Sequence, residues 1–179
     1  MSRRTLFLMV GPSGAGKDSL IRAAAETLDG DGSYIIAERM ITRPADSYRK
    51  GYEPVSVEEF RRRAERDDFM LSRTVYDTHY GISKSCEGDL ADGRHVIANV
   101  SRMVVGPGVT NFAPSRVIQI TAPREILEAR LRTRADPVTA AARLARGGSA
   151  RGHSRYPSSQ CRRSQYRGDQ AGKAFDENG

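Results

Sequence analysis

A chain of 179 residues, 38% hydrophobic and 28% charged, suits one domain of ordinary size with a real apolar core. No stretch approaches the ~20 apolar residues of a membrane span, and the first strand begins too early to leave room for a secretory leader. Two isolated cysteines, Cys86 and Cys161, make neither a disulfide framework nor a metal knuckle, so a reducing cytoplasm is the expected setting. The net charge of +7 is a mild excess over residues 1–146 with a further share in 147–179, a spread that does not require nucleic acid. Neither a nucleic-acid nor a membrane partner is expected, and the oligomeric state is open.

Thr5-Leu6-Phe7-Leu8-Met9-Val10 reads as a buried strand, and Ser19 to Leu28 has the spacing of a helix. Between them, Gly11-Pro12-Ser13-Gly14-Ala15-Gly16-Lys17-Asp18-Ser19 fits G-x-x-x-x-G-K through Lys17. Strand, glycine loop and helix start make an anion site, because unpaired N–H groups and the helix dipole both face the ligand. Glycine spacing alone suits an ordinary strand-to-helix turn, but the lysine and the flanking elements point to a loop that holds a nucleotide's phosphates. Asp18 breaks the pattern, standing where the motif has the Ser or Thr that holds magnesium.

Tyr34 to Ile41 reads as a second strand running into Thr42-Arg43-Pro44, where proline stops regular structure. A polar loop over 45–51 follows. Ser56-Val57-Glu58-Glu59 is a capping box that opens a helix to about Arg66, with Phe60 and Ala64 inward. Arg61, Arg62, Arg63 and Arg66 mostly line its outer, solvated face. Phe69-Met70-Leu71 and Val75-Tyr76 read as short strands before Tyr80-Gly81-Ile82, and a brief helix spans about Lys84 to Ala91.

His95 to Val100 is a strand with a polar residue near its carboxyl end, where open parallel sheets place ligands. Asn99, Ser101 and Arg102 are thereby placed to meet substrate; a local turn bond for Asn99 and a solvent-facing Arg102 are the alternatives. Arg116 to Ala122 is another buried strand, and Pro123 opens a helix at its N1 position through about Arg134. A second helical piece covers roughly Val138 to Arg146. Alternating strands and helices give an α/β fold with a mainly parallel sheet flanked by helices. Arg130, Arg132, Arg134, Arg143 and Arg146 read equally as a mobile lid that closes over a triphosphate or as an exposed arginine-rich face.

In order along the chain, Gly11 to Ser19, Thr42-Arg43-Pro44, Val55 to Phe60, Tyr80-Gly81-Ile82 and Arg130-Leu131-x-x-Arg134 resemble the guanylate kinase superfamily of P-loop NTPases. Within it, Gly16-Lys17-Asp18-Ser19 and Ala98-Asn99-Val100-Ser101-Arg102 look like the ribose 1,5-bisphosphate phosphokinases of phosphonate catabolism. Guanylate kinases carry Lys-Ser-Thr in the loop and an acidic residue near the end of the later strand. The resemblance covers roughly residues 5–146 and makes Asp18 a family marker.

The resemblance implies a kinase domain over 1–146, with an acceptor-binding insertion at about 43–93 and an arginine lid at about 130–146. It implies transfer from ATP to ribose 1,5-bisphosphate, giving ADP and 5-phospho-α-D-ribose 1-diphosphate. Gly11, Pro12, Ser13, Gly14, Ala15, Gly16, Lys17, Asp18 and Ser19 would hold the nucleotide, with Lys17 bridging phosphates and Asp18 or Ser19 placing Mg²⁺. Arg43, Tyr80, Asn99, Ser101 and Arg102 would bind the sugar-phosphate acceptor. Arg134 and Arg143, with Arg130 as a further candidate, would be the lid arginines that act with Lys17 in catalysis.

Several features depart from that family. It carries a tryptophan and a His-Gly pair before Tyr-Gly, where this chain reads Arg73-Thr74-Val75-Tyr76-Asp77-Thr78-His79. Gly106-Pro107-Gly108 is expected to break the helix after Arg102, and the lid reads Arg134-Ala135-Asp136-Pro137 in place of Arg-Gly-x-Glu. Residues 147–179 contain no Val, Ile, Leu or Met, so they are expected to form a disordered basic tail with no buried strand. Two other functions fit the residues: a nucleoside monophosphate kinase acting on GMP, and a binding module that has lost turnover.

Overall fold

The computed structural model describes residues 4–42, 51–75, 77–112, 114–132 and 161–165. The chain runs β1 (Leu6–Val10), α1 (Lys17–Thr27), β2 (Tyr34–Ile36), β3 (Arg39–Thr42), β4 (Tyr52–Val55), α2 (Val57–Glu65), β5 (Phe69–Val75) and β6 (Thr78–Ser83). It continues with α3 (Ser85–Ala91), β7 (His95–Asn99), a 3-10 turn at Arg102–Val104, α4 (Val105–Asn111), β8 (Ser115–Thr121), α5 (Arg124–Arg132) and β9 (Cys161–Gln165). Five strands form a parallel sheet in the order β2-β7-β1-β8-β9, and four form a second sheet in the order β4-β3-β6-β5. Among the described residues, no helix is long and apolar enough to cross a membrane.

β1 is apolar throughout and its neighbours β7 and β8 largely so, because helices or the second sheet cover both faces. Leu6, Leu8, Val96 and Ala98 have no exposed surface. On one face they join Val10, Val100 and Val117 against Cys86 and Leu90 of α3, Val105 of α4, and Met70, Leu71 and Ile82 of the second sheet. On the other face Met9, Ile97 and Ile120 pack with Leu20 and Ile21 of α1 and Leu127 of α5. The second sheet has its own small core, in which Met40, Val55 and Phe60 meet Phe69. Ser56 caps α2 as its sequence demands, its Oγ accepting from Glu59 N at 3.1 Å.

Five sequence expectations change. The run Tyr34 to Ile41 is two strands in two sheets: at Ala37 the chain still donates to the Ile97 carbonyl at 2.9 Å, then crosses to the second sheet. Apolar composition cannot show that step, because both halves carry apolar residues. Gly106-Pro107-Gly108 lies inside α4 and does not break it. Pro107 falls in the first turn, where an N–H has little helical use, and Gly108 lets the helix approach the sheet: a Cβ there would lie 2.9 Å from Leu8 Cδ1. Pro123 sits just outside α5, its carbonyl accepting from Leu127 N at 3.1 Å. Arg63 is not a solvated outer residue; it bonds Glu59 at 2.6 Å and Glu53 at 3.0 Å, joining α2 to β4.

The fifth change is in the tail. Disorder is expected from composition over 147–179, yet Cys161–Gln165 forms β9 and pairs in parallel with β8 from Val117 to Thr121. A ladder at a sheet edge draws on backbone N–H and C=O groups, which every residue except proline supplies whatever its side chain. The rest of that tail, and the second helical piece expected at 138–146, lie outside the described residues.

Candidate active site

β1 has β7 on one side and β8 on the other, so the chain order reverses direction across it. Open parallel sheets bind ligands at that switch point, beyond the carboxyl ends of the strands. The glycine loop occupies this place. Gly11 crosses so close to β8 that a Cβ would stand 2.1 Å from the Ile120 carbonyl oxygen, so no other residue fits without moving the strand. The loop then enters α1 at Lys17, with Gly16 at the N-cap. The first N–H groups of a helix have no intrahelical partner, and here they border the loop.

Lys17 lies across its own loop, Nζ donating to the carbonyls of Gly11 at 2.8 Å and Pro12 at 3.0 Å. Burial lowers its pKa to about 8; Asp18 opposes this, while Arg39 and Arg102 add to it. The ammonium thus waits in a partly dehydrated, cation-rich pocket, and an anion there would stabilise its charged form. Arg130 also touches the loop, donating to the Gly14 carbonyl at 3.0 Å. That bond places Arg130 against the glycine loop.

Asp18 faces away from the loop, toward β7. Its Oδ1 accepts from Asn99 Nδ2 at 2.7 Å and from the Tyr52 hydroxyl at 2.9 Å. Tyr52 in turn accepts from Arg39 at 2.8 Å. Asn99 is buried with its Oδ1 unpartnered among the described residues. The second oxygen of Asp18 likewise takes no hydrogen bond from a described residue. One carboxylate oxygen and the exposed Ser19 hydroxyl form a sparse donor set, the kind that suits magnesium, which keeps waters and phosphate oxygens as most of its ligands.

The far wall comes from the second sheet and the end of β7. Ser101 Oγ accepts from Arg73 of β5 and caps the 3-10 turn at Arg102. Tyr80 of β6 lies beneath the Arg39 guanidinium at 5.1 Å, and Tyr52 of β4 at 4.6 Å. Arg102 is near enough to Lys17 to influence its charge. Of the residues expected from sequence, Lys17, Asp18, Asn99, Ser101, Arg102 and Tyr80 fall in one connected set: Asp18 bonds Asn99 and Tyr52, Arg39 lies over Tyr52 and Tyr80, Arg39 and Arg102 act on Lys17, and Ser101 bonds Arg73 opposite Tyr80. Arg43, Arg134 and Arg143 lie outside the described residues.

Sequence reasoning missed Arg39, Tyr52 and Arg73. Arg39 and Tyr52 are neighbours through the β3–β4 register, and Arg73 stands opposite Tyr80 in the β5–β6 register. Only strand pairing brings them together, and no local spacing announces it.

No protein-family model matches the chain. It is 45% identical over 143 residues to a ribose 1,5-bisphosphate phosphokinase PhnN of Acidiphilium cryptum, covering 79% of this chain and 76% of that protein. A protein of the same name from Methylobacterium radiotolerans is 39% identical, with 80% and 82% covered. A bifunctional ribose 1,5-bisphosphokinase-thymidine phosphorylase of Cupriavidus necator is 42% identical over 147 residues; the match spans 81% of this chain but only 24% of that protein. The fold is similar to a guanylate kinase from Anaplasma phagocytophilum, with a TM-score of 0.58 and 18% identity over 83% of this chain and 74% of that one.

Proposed function

The chain belongs to the ribose 1,5-bisphosphate phosphokinase family, and from that premise we propose that it transfers the γ-phosphoryl group of ATP to ribose 1,5-bisphosphate. An oxygen of the acceptor's 1-phosphate attacks the γ-phosphorus, and the bond to the β,γ-bridging oxygen breaks. The products are ADP and 5-phospho-α-D-ribose 1-diphosphate. Such a transfer asks for positioning and charge neutralisation, not for a covalent intermediate.

The observation that carries the reading is the bond from Asn99 to Asp18. It joins the nucleotide loop to the acceptor side at the carboxyl end of β7. Residues 11–19 hold the nucleotide in this proposal, with backbone N–H groups on the phosphates and Lys17 leaving its loop carbonyls to bridge the β- and γ-phosphates. Asp18 and Ser19 would hold Mg²⁺, directly or through water, and the chemistry it would supply there is positive charge against the phosphate oxygens. Tyr80, Asn99, Ser101 and Arg102 line the acceptor's place, with Arg43 assigned to one of its phosphates. Arg134 and Arg143 are assigned to a lid over about 130–146, and about 43–93 to the acceptor-binding insertion. The reaction is assigned to the cytoplasm.

A coupled ADP-release assay with rival acceptors tests this. Turnover with ribose 1,5-bisphosphate well above that with GMP is expected. Strong turnover with GMP would make the chain a nucleoside monophosphate kinase, and ATP binding with no turnover on either acceptor would make it a binding module.

A further inference from the structure

Four strands of the second sheet each place one side chain on the face that looks toward the phosphate loop. Tyr52 of β4 pairs in register with Arg39 of β3. Arg39 lies beside β6, its guanidinium over the rings of both Tyr52 and Tyr80. Arg73 of β5 stands directly opposite Tyr80. The row therefore alternates aromatic and cation across the sheet: Tyr52, Arg39, Tyr80, Arg73. Both ends are fastened outside the second sheet, Tyr52 to Asp18 of α1 and Arg73 to Ser101 just beyond β7.

Its charges are not balanced. Neither Arg39 nor Arg73 has a carboxylate partner among the described residues, whereas Arg62, Arg63, Arg94 and Arg124 all do. The one carboxylate at the row's edge, Asp18, is bonded to Asn99 and Tyr52. Arg39 over its two tyrosine rings and Arg73 bonded to Ser101, with Lys17 close enough to Arg39 and Arg102 for both to lower its pKa, form a surface for a ligand with more than one anionic group. Arginine's planar fork suits phosphate oxygens.

We propose that Arg73, acting with Arg39 on this row, binds the acceptor's second phosphate and so sets the preference for a bisphosphorylated over a monophosphorylated sugar. Ser101 fixes the guanidinium of Arg73 from the main-sheet side, so the acceptor is read against a preset cation. This inference rests on the proposed phosphoryl transfer and adds a specificity residue to it.

The test compares ribose 1,5-bisphosphate with ribose 1-phosphate as acceptors for the unsubstituted chain, Arg73→Met and Arg73→Lys. Methionine keeps the apolar stem and removes the charge. Loss of one charge-assisted phosphate contact is expected to lower kcat/KM for the bisphosphate on the order of 10- to 100-fold, mostly through KM. Turnover of the monophosphate and KM for ATP should barely move, and Arg73→Lys should recover part of the loss. A uniform fall on both acceptors, or none on either, overturns the assignment of Arg73, because a merely structural role cannot tell the acceptors apart. Failure of the unsubstituted chain to use ribose 1,5-bisphosphate at all is a different result and overturns the proposed transfer itself.

Discussion

Lys17 carries a pH signature. Its pKa stands near 8, below the usual 10.5, because the loop dehydrates it. A lysine lowered in this way opposes folding at neutral pH, and the opposition fades as pH rises from about 8 toward 10.5, where the unfolded chain binds the proton and the fold does not. Nucleotide phosphates reverse the preference by favouring the ammonium. ATP binding near pH 8 should therefore take up about half a proton, and affinity should fall as pH rises beyond that point. Calorimetry in buffers of different ionisation enthalpy reads the uptake directly. No uptake, with flat affinity to about pH 9.5, would show that Lys17 does not meet the phosphates.

Asp18 and Asn99 depend on each other's charge state. A single carboxylate faces an amide across 2.7 Å, and the amide completes the bond. Asn99→Asp would set two carboxylates face to face, which forces one to hold a proton or the pair to separate. We expect kcat/KM to fall by about 10-fold or more. Exchanging the charge with Asp18→Asn in the same chain should recover part of that loss, with a coupling of about 0.5–3 kcal/mol in the double-mutant cycle. Strict additivity would mean that the two residues act apart.

Among elements, α4 shows where sequence rules gave the wrong answer and why. Gly-Pro-Gly is a breaker by propensity, yet here the proline falls in the first turn and the second glycine is a contact surface. The two glycines should respond in opposite directions. Gly106 has open space where a Cβ would go, so Gly106→Ala should stabilise by about 0.5–1 kcal/mol. Gly108→Ala gains the same propensity but presses on Leu8, which is wholly buried, and overpacking of about 1–3 kcal/mol should win. Urea midpoints for the two variants check both signs. Equal stabilisation would mean that α4 does not sit against β1.

The elements most legible in the sequence were those whose cause is local. The apolar run of β1, the glycine loop and Ser56 at the start of α2 each carry their reason within a few residues. The split between β2 and β3 was not legible, because an apolar residue looks the same in either sheet. β9 was not legible either, since an edge ladder needs backbone and not apolar side chains. Arg39, Tyr52 and Arg73 were hidden for the same reason. Register places them side by side, and register is set by pairing between strands distant in sequence.

Over the whole molecule, the two sheets divide the work. The parallel sheet supplies the loop, Lys17 and the carboxyl end of β7; the smaller sheet supplies a cationic, aromatic face opposite them. Met70, Leu71 and Ile82 join them through the shared apolar core, and at the site two polar contacts tie them, Asp18 to Tyr52 and Ser101 to Arg73. The contacts at the site are thus also the seam between the sheets. Nucleotide on one side and sugar phosphate on the other would face each other across that seam, which is the geometry an in-line transfer requires.

Phosphorus NMR of a reaction holding the protein, Mg-ATP and ribose 1,5-bisphosphate follows that transfer most directly. The account predicts that the 1-phosphate signal of the sugar is replaced by the two coupled signals of a sugar diphosphate, one for each ADP formed. ADP appearing with inorganic phosphate alone, while the sugar's two phosphate signals stay unchanged, would contradict it.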